Sequence, residues 1–275
     1  MKRLATAAVA VPLALAAVFY LPGLWFFLTV LVVFEFAVLE YANLADQLAP
    51  GGPYRLLLVL VPLAALGLAP QLWRPANLEM PFGLLGLGFF VLSIGLGILV
   101  LVFRVPVEQG LASLGAMAFG VPYLSLPGAS LYQLQQRDPW VLVLLFAIVW
   151  LGDTAAYYCG RAWGRRKLAP RVSPNKTWEG AIASLLAGVL AAIAWSLLRQ
   201  GAVKMDLLIL AGVTSVAAQV GDLVESLIKR GAGVKDSGTL LPGHGGVLDR
   251  IDALLFAAPT LLLGLTLVDL GSSAP

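Results

Sequence analysis

The chain has 275 residues, of which 60% are hydrophobic and only 12% charged, and its formal net charge is +3. A soluble domain carries about 25% charged residues and must still clothe its exterior in polar groups, so this composition excludes a water-soluble globule and implies a lipid-facing surface. The one cysteine, Cys159, excludes an internal disulfide, and the one histidine, His244, excludes a multi-histidine metal site, which leaves oxygen ligands and hard cations of the magnesium kind.

A helix needs about 20 apolar residues to cross the hydrocarbon core. On that measure nine spans are expected, roughly 4–20, 23–41, 54–70, 82–103, 109–127, 139–159, 177–198, 205–228 and 251–270, in an all-α polytopic membrane bundle. Met1-Lys2-Arg3 and the apolar run after it resemble a secretory leader. A second apolar run begins at Leu24 with no polar segment between, so the first is read as a retained membrane helix. Breaks are expected at Pro22-Gly23, around Pro50 to Pro53, from Pro70 to Pro81, from Arg104 to Glu108 and at Pro127-Gly128.

Residues 1–138 contain few ionisable groups within their spans and read as a scaffold of about five helices. Gly83, Gly86, Gly88, Gly95 and Gly97 are placed to permit close helix approach, and Glu35 and Glu40 are the acids that stand out. Residues 139–275 read as the chemical half, with polar loops at 160–176 and 229–250. With an inside N-terminus and nine spans, 14 of the 18 basic residues fall on the face bearing those loops, which the positive-inside rule assigns to the cytoplasm.

Three constellations carry chemistry. The first, before and into the seventh span, comprises Asp153, Tyr157, Gly160-Arg161, Arg165-Arg166-Lys167 and Ser173-Pro174-Asn175-Lys176-Thr177-Trp178-Glu179-Gly180. Ser173 ahead of Pro174 reads as a helix start, and such an N-terminus beside Lys176 makes an anion site. The arginine-rich stretch also reads simply as a topology signal attracted to anionic headgroups. In the second, Asp222, Glu225, Ser226, Lys229 and Arg230 share one face of the eighth span, with Asp222 about 10 Å inward from Lys229. An acid held below the interface costs several kcal/mol unless paired or hydrated; the alternative is plain i, i+4 pairing along the helix.

The third is the glycine-rich run from Lys235-Asp236-Ser237-Gly238 through Pro242-Gly243-His244-Gly245-Gly246 to Asp249-Arg250-Ile251-Asp252. Its backbone amides can approach phosphate, while Asp249 and Asp252 also suit a helix N-terminus as capping acids. Neither a Walker-type loop nor a dinucleotide glycine fingerprint is present, which excludes the standard soluble nucleotide folds.

The run Ser226 to Arg230, then Lys235-Asp236-x-Gly238, then Leu241-Pro242-x-His244-Gly245-Gly246 to Asp249-Arg250-x-Asp252 resembles the signature of the phosphatidate cytidylyltransferases, also called CDP-diacylglycerol synthases. The segments around Asp153-Tyr157-Arg161 and Ser173 to Gly180 are similar to the same family, although Asn175 stands where that family often has lysine. The resemblance covers about residues 150–255. It implies an all-helical membrane enzyme, a homodimer, that condenses CTP with phosphatidate and releases pyrophosphate, with no nucleic-acid partner. It also implies that Asp222 and Asp249 hold a magnesium centre, with potassium as a candidate second cation. Lys229 is expected in catalysis; Ser173, Lys176, Arg230, Lys235, His244 and Arg250 at substrate; and Asp153, Glu179, Glu225, Ser226, Asp236 and Asp252 in support. The rivals are a CTP-dependent kinase of a lipid alcohol, which releases CDP, and an ion-coupled transporter, whose acids belong nearer the bilayer midplane.

Overall fold

The computed structural model describes residues 2–69, 94–240 and 245–272. His244 and the glycines at 83, 86 and 88 lie outside the described residues. The helices are α1 (Lys2–Tyr20), α2 (Gly23–Leu48), α3 (Leu57–Leu68, entered through a short 3-10 turn), α4 (residues 94–102), α5 (Val107–Arg137), α6 (Pro139–Trp163), α7 (Trp178–Gln200), α8 (Met205–Gly231) and α9 (Leu248–Ser272). Among the described residues, six helices, α2 and α5 to α9, are long and apolar enough to cross a membrane.

The apolar rows explain why these helices belong in lipid. Ile182, Leu186 and Leu190 lie one turn apart on α7 and are 55–63% exposed. Leaving such side chains in water forfeits ~1.5–3 kcal/mol each, so the row faces hydrocarbon in an integral membrane protein. Val30, Phe34, Val38, Leu124, Leu142 and Leu145 are buried in the main core, while Leu144, Ile148, Ala192 and Ala211 form a smaller one between α6, α7 and α8.

The Pro127-Gly128 break expected from the sequence is absent, because α5 runs unbroken through both Pro122 and Pro127. Proline is tolerated in membrane helices where neighbours satisfy the backbone groups it frees, and even a Cβ on Gly128 would lie only at ordinary contact distance, 3.7 Å, from Phe34 and Val30. Close packing through glycine also falls elsewhere than expected. A Cβ at Gly95 or Gly97 would meet nothing within 4 Å, whereas one at Gly180 would lie 2.8 Å from the Ala156 carbonyl and one at Gly152 2.7 Å from Ser184 Oγ. One tight seam therefore lies between α6 and α7.

Ser173 is not a helix start. It opens strand β2 (Ser173–Thr177), which pairs antiparallel with β1 (Lys167–Ala169) in a single hairpin. A residue before proline favours extended backbone, and the cap of α7 is instead Thr177, whose Oγ1 accepts from Gly180 N at 3.2 Å. Glu179 secures the hairpin by accepting from Arg166 N at 3.3 Å.

The far end of the bundle is tied by the Arg137–Asp269 ion pair, by Arg199 over the Trp140 ring and by the Trp195 indole N–H donating to the Trp140 carbonyl. The opposite end gathers the C-termini of α2, α6 and α8, the N-termini of α7 and α9, and the hairpin. Because of the close seam, Gly180→Ala should destabilise the protein by ~1–3 kcal/mol, while Gly115→Ala, where a Cβ meets nothing within 4 Å, should not. Thermal unfolding of both purified variants in detergent checks this.

Candidate active site

On α8, the i, i+3, i+4, i+7 spacing of Asp222, Glu225, Ser226 and Lys229 puts them on one face, and α9 presents Asp249 to that face from its first turn. Lys229 is buried, and its Nζ lies 2.5 Å from Asp249 Oδ1 while also pairing with Glu225, whose side chain is wholly buried. Asp249 Oδ2 accepts from Gly246 N at 2.7 Å and from Ser237 N and Oγ at 3.0 Å. Gly245 turns the chain with φ at +78°, and a Cβ there would meet Asp249 Oδ2 at 2.5 Å, so this position accommodates only glycine.

Asp222 sits about two turns from Lys229 on α8. Its Oδ2 pairs with Lys176 Nζ at 2.6 Å, and Ser226 Oγ donates to its Oδ1 at 3.5 Å. Asp252 follows Asp249 by three residues, and its carboxylate lies within electrostatic reach of Asp222 and Asp153. The helices are close here, since a Cβ on Gly221 would lie 2.6 Å from the Asp252 carbonyl. Among the described residues, no three acidic, histidine or cysteine side chains form a ligand cluster by themselves.

A cavity of about 640 Å³ opens between α6, the hairpin, α7 and α8, lined by Asp153, Tyr157, Arg161, Lys167, Lys176, Gln219 and Asp222 among others. Asp222 is the member of the α8–α9 cluster on its wall, with Lys229, Glu225 and Asp249 behind it. The structure thus brings together Asp153, Lys176 and Asp222 at the cavity, and Glu225, Lys229 and Asp249 beside it.

Other expected residues stand elsewhere. Arg230 spends its guanidinium on two carbonyls, Val172 at 3.4 Å and Val234 at 3.2 Å, and so ties the hairpin turn to the end of α8. Ser173 lies on the hairpin away from the cavity wall, and Lys235, Asp236 and Arg250 are exposed. Glu40 of α2 received no role from the sequence, yet it is buried and accepts from Val247 N, Leu248 N and Ser237 Oγ at 2.8–2.9 Å.

The profile of the family described as the cytidylyltransferase family matches residues 1–268. The chain belongs to that family. It is also 46% identical over 160 residues to the phosphatidate cytidylyltransferase of Brucella suis biovar 1 (strain 1330), covering 57% of this chain and 59% of the relative. It is 46% identical over 132 residues to the phosphatidate cytidylyltransferase of Haemophilus influenzae, covering 45% and 46%. The enzyme of that name from Staphylococcus aureus (strain COL) is 44% identical over 144 residues, covering 51% and 55%. The chain therefore spans about half the length of the curated relatives it matches.

For a member of the cytidylyltransferase family, the buried ion triad predicts a stability signature. Removing one partner of a buried pair costs ~3–5 kcal/mol because a charge is left uncompensated. Lys229→Ala should lose that much, and adding Glu225→Gln should restore part of it. Chemical unfolding of the single and double variants reads the difference.

Proposed function

We propose that this chain is a phosphatidate cytidylyltransferase, transferring the cytidylyl group of CTP to phosphatidate with release of pyrophosphate. The observation that carries the proposal is the junction at Asp222, where a cavity bearing Arg161, Lys167 and Lys176 meets the acid–base cluster of α8 and α9. The family membership and the relatives' names support the same chemistry.

Phosphatidate carries a phosphate monoester with a second pKa near 6 and is mostly a dianion at neutral pH. One of its oxygens attacks the α-phosphorus of CTP, and the bond from that phosphorus to the bridging oxygen breaks as pyrophosphate leaves. No proton has to be removed, so no general base is needed and His244 is left for phosphate hydrogen bonding. The obstacle is repulsion: each pair of charges about 4 Å apart costs ~4 kcal/mol at an effective dielectric near 20. Arg161, Lys167 and Lys176 supply positive charge along the cavity wall.

Lys176 and Asp222 neutralise each other at 2.6 Å. An arriving triphosphate competes for the Lys176 ammonium and releases the Asp222 carboxylate. The donor chemistry suits magnesium, which binds one or two carboxylates and completes its shell with substrate phosphate and water. Asp222 and Asp249 would hold it, and when bound it screens the phosphates and polarises the transferring group. For potassium as a second cation, Asp153 and Asp252 are the remaining carboxylates near Asp222. Lys229 keeps Asp249 in place and adds positive charge beside it. The site end of the bundle faces the cytoplasm, a placement supported by the 14 of 18 basic residues expected on that side.

Purified protein given phosphatidate, labelled CTP and magnesium should yield CDP-diacylglycerol and pyrophosphate in equal amounts; CDP and a phosphorylated lipid would point to a kinase instead. Asp222→Asn and Asp249→Asn should each lower turnover of the folded protein by ~10³-fold, the equivalent of several kcal/mol of electrostatic stabilisation; Asp249→Asn should also lose stability, because it leaves buried Lys229 short of a partner. Near-normal turnover in either would remove that residue from the site.

A further inference from the structure

A carboxylate from the N-terminal half lies against the site, and neither the local sequence nor the family resemblance gives it a role. Glu40 is 6% exposed on α2. Its Oε1 accepts from Val247 N at 2.9 Å, and its Oε2 accepts from Leu248 N and Ser237 Oγ, both at 2.8 Å. Val247 and Leu248 enter α9, so the acid from α2 satisfies amides that a helix N-terminus leaves open. Asp249 follows at once.

Ser237 stands between two carboxylates, with its Oγ 2.8 Å from Glu40 Oε2 and 3.0 Å from Asp249 Oδ2. A hydroxyl has one proton to donate, so Glu40 and Asp249 share that donor. Two glycines of the signature are shaped by the same acid. The atoms nearest a Cβ on Gly238 would all be Glu40's, at 2.7–3.1 Å, and one on Gly246 would strike Glu40 and Ser237. Neither glycine has positive φ. Space for Glu40, not backbone conformation, accounts for the missing side chains.

We propose that Glu40 is a positioning residue for the reaction site, clamping Ser237 and the start of α9 so that Asp249 faces Lys229. The inference rests on the role given to Asp249 above and extends the working site to α2. A carboxylate suits the place because three donors converge on it. Glutamine would turn an NH₂ group toward at least one of them, leaving a buried donor facing a donor.

The test uses the full chain in detergent or nanodiscs, comparing the parent with Glu40→Asp, Glu40→Gln and Glu40→Ala by CTP turnover and amide hydrogen exchange. In Glu40→Ala, the amides of Val247 and Leu248 should exchange about tenfold faster or more as their acceptors are lost, and in Glu40→Gln at least one of the two should. Loss of an outer-shell partner typically costs about 10–100-fold. That loss should fall on kcat, with KM for CTP changed by less than about threefold, and Glu40→Asp should recover part of it.

A merely structural role would lower thermal stability and yield and leave kcat of the folded protein unchanged; that result overturns the proposal, as does unchanged protection of the two amides. If the Glu40 variants do not fold, Gly238→Ala supplies the answer. It should lower kcat in the parent background and be less than additive with Glu40→Asp, whose shorter side chain makes room. A neutral Gly238→Ala overturns the clamp. Should the parent itself transfer no cytidylyl group, the proposed reaction fails while the exchange rates still decide the fate of Glu40.

Discussion

One buried ammonium holds the working end of this bundle together. Lys229 reaches from α8 to Asp249 on α9 at 2.5 Å while pairing with Glu225 one turn back on its own helix. Charges below a membrane interface cost several kcal/mol unless paired or hydrated, so the three groups are stable only as a set. At Asp249 the amides of Ser237 and Gly246 add two further donors. The set therefore locks the register of α8 against the first turn of α9, and that register determines where Asp222 and Asp252 stand.

From there the geometry runs outward to the substrate space. Asp222 belongs to the α8 face on one side and to the cavity wall on the other, with Lys176 of the hairpin as its partner. The hairpin is held at both ends, by Glu179 on the Arg166 amide and by Arg230 on the Val172 carbonyl. The elements that carry cavity lysines are thus pinned to the helices that carry the acids. In the proposed reaction, a lipid phosphate arriving from the headgroup layer would meet a triphosphate from water where these two supports converge.

Much of this was legible in the sequence. The apolar runs located α3 and α6 to α9 to within a few residues, and the start of α2, which continues seven residues past its expected end to Leu48; the 3.6-residue spacing of Asp222, Glu225, Ser226 and Lys229 marked the face that the structure uses. Local pattern failed where tertiary contacts decide. Pro127 looked like a stop, yet α5 continues because its neighbours tolerate the proline. Ser173-Pro174 looked like a capped helix start, but extended backbone before proline favoured a strand, and Thr177 took the cap. Arg230 sits on the correct face and turns its donors to main-chain carbonyls. Glu40 is separated from Ser237 by 197 residues, and no local spacing could connect them. Its one trace was the oddity of an acid inside an apolar span.

In the proposed reaction, carboxylates of α8 and α9 serve one cation and one pair of phosphates beside the cavity. The most direct measurement is a structure of the full chain in lipid nanodiscs or mesophase with CTP, manganese replacing magnesium and located by its anomalous scattering. Manganese should be held by Asp222 and Asp249, with nucleotide at the cavity and Lys176 moved from Asp222 onto a phosphate oxygen. Manganese and nucleotide bound away from both aspartates, with the Lys176–Asp222 pair intact, would contradict it.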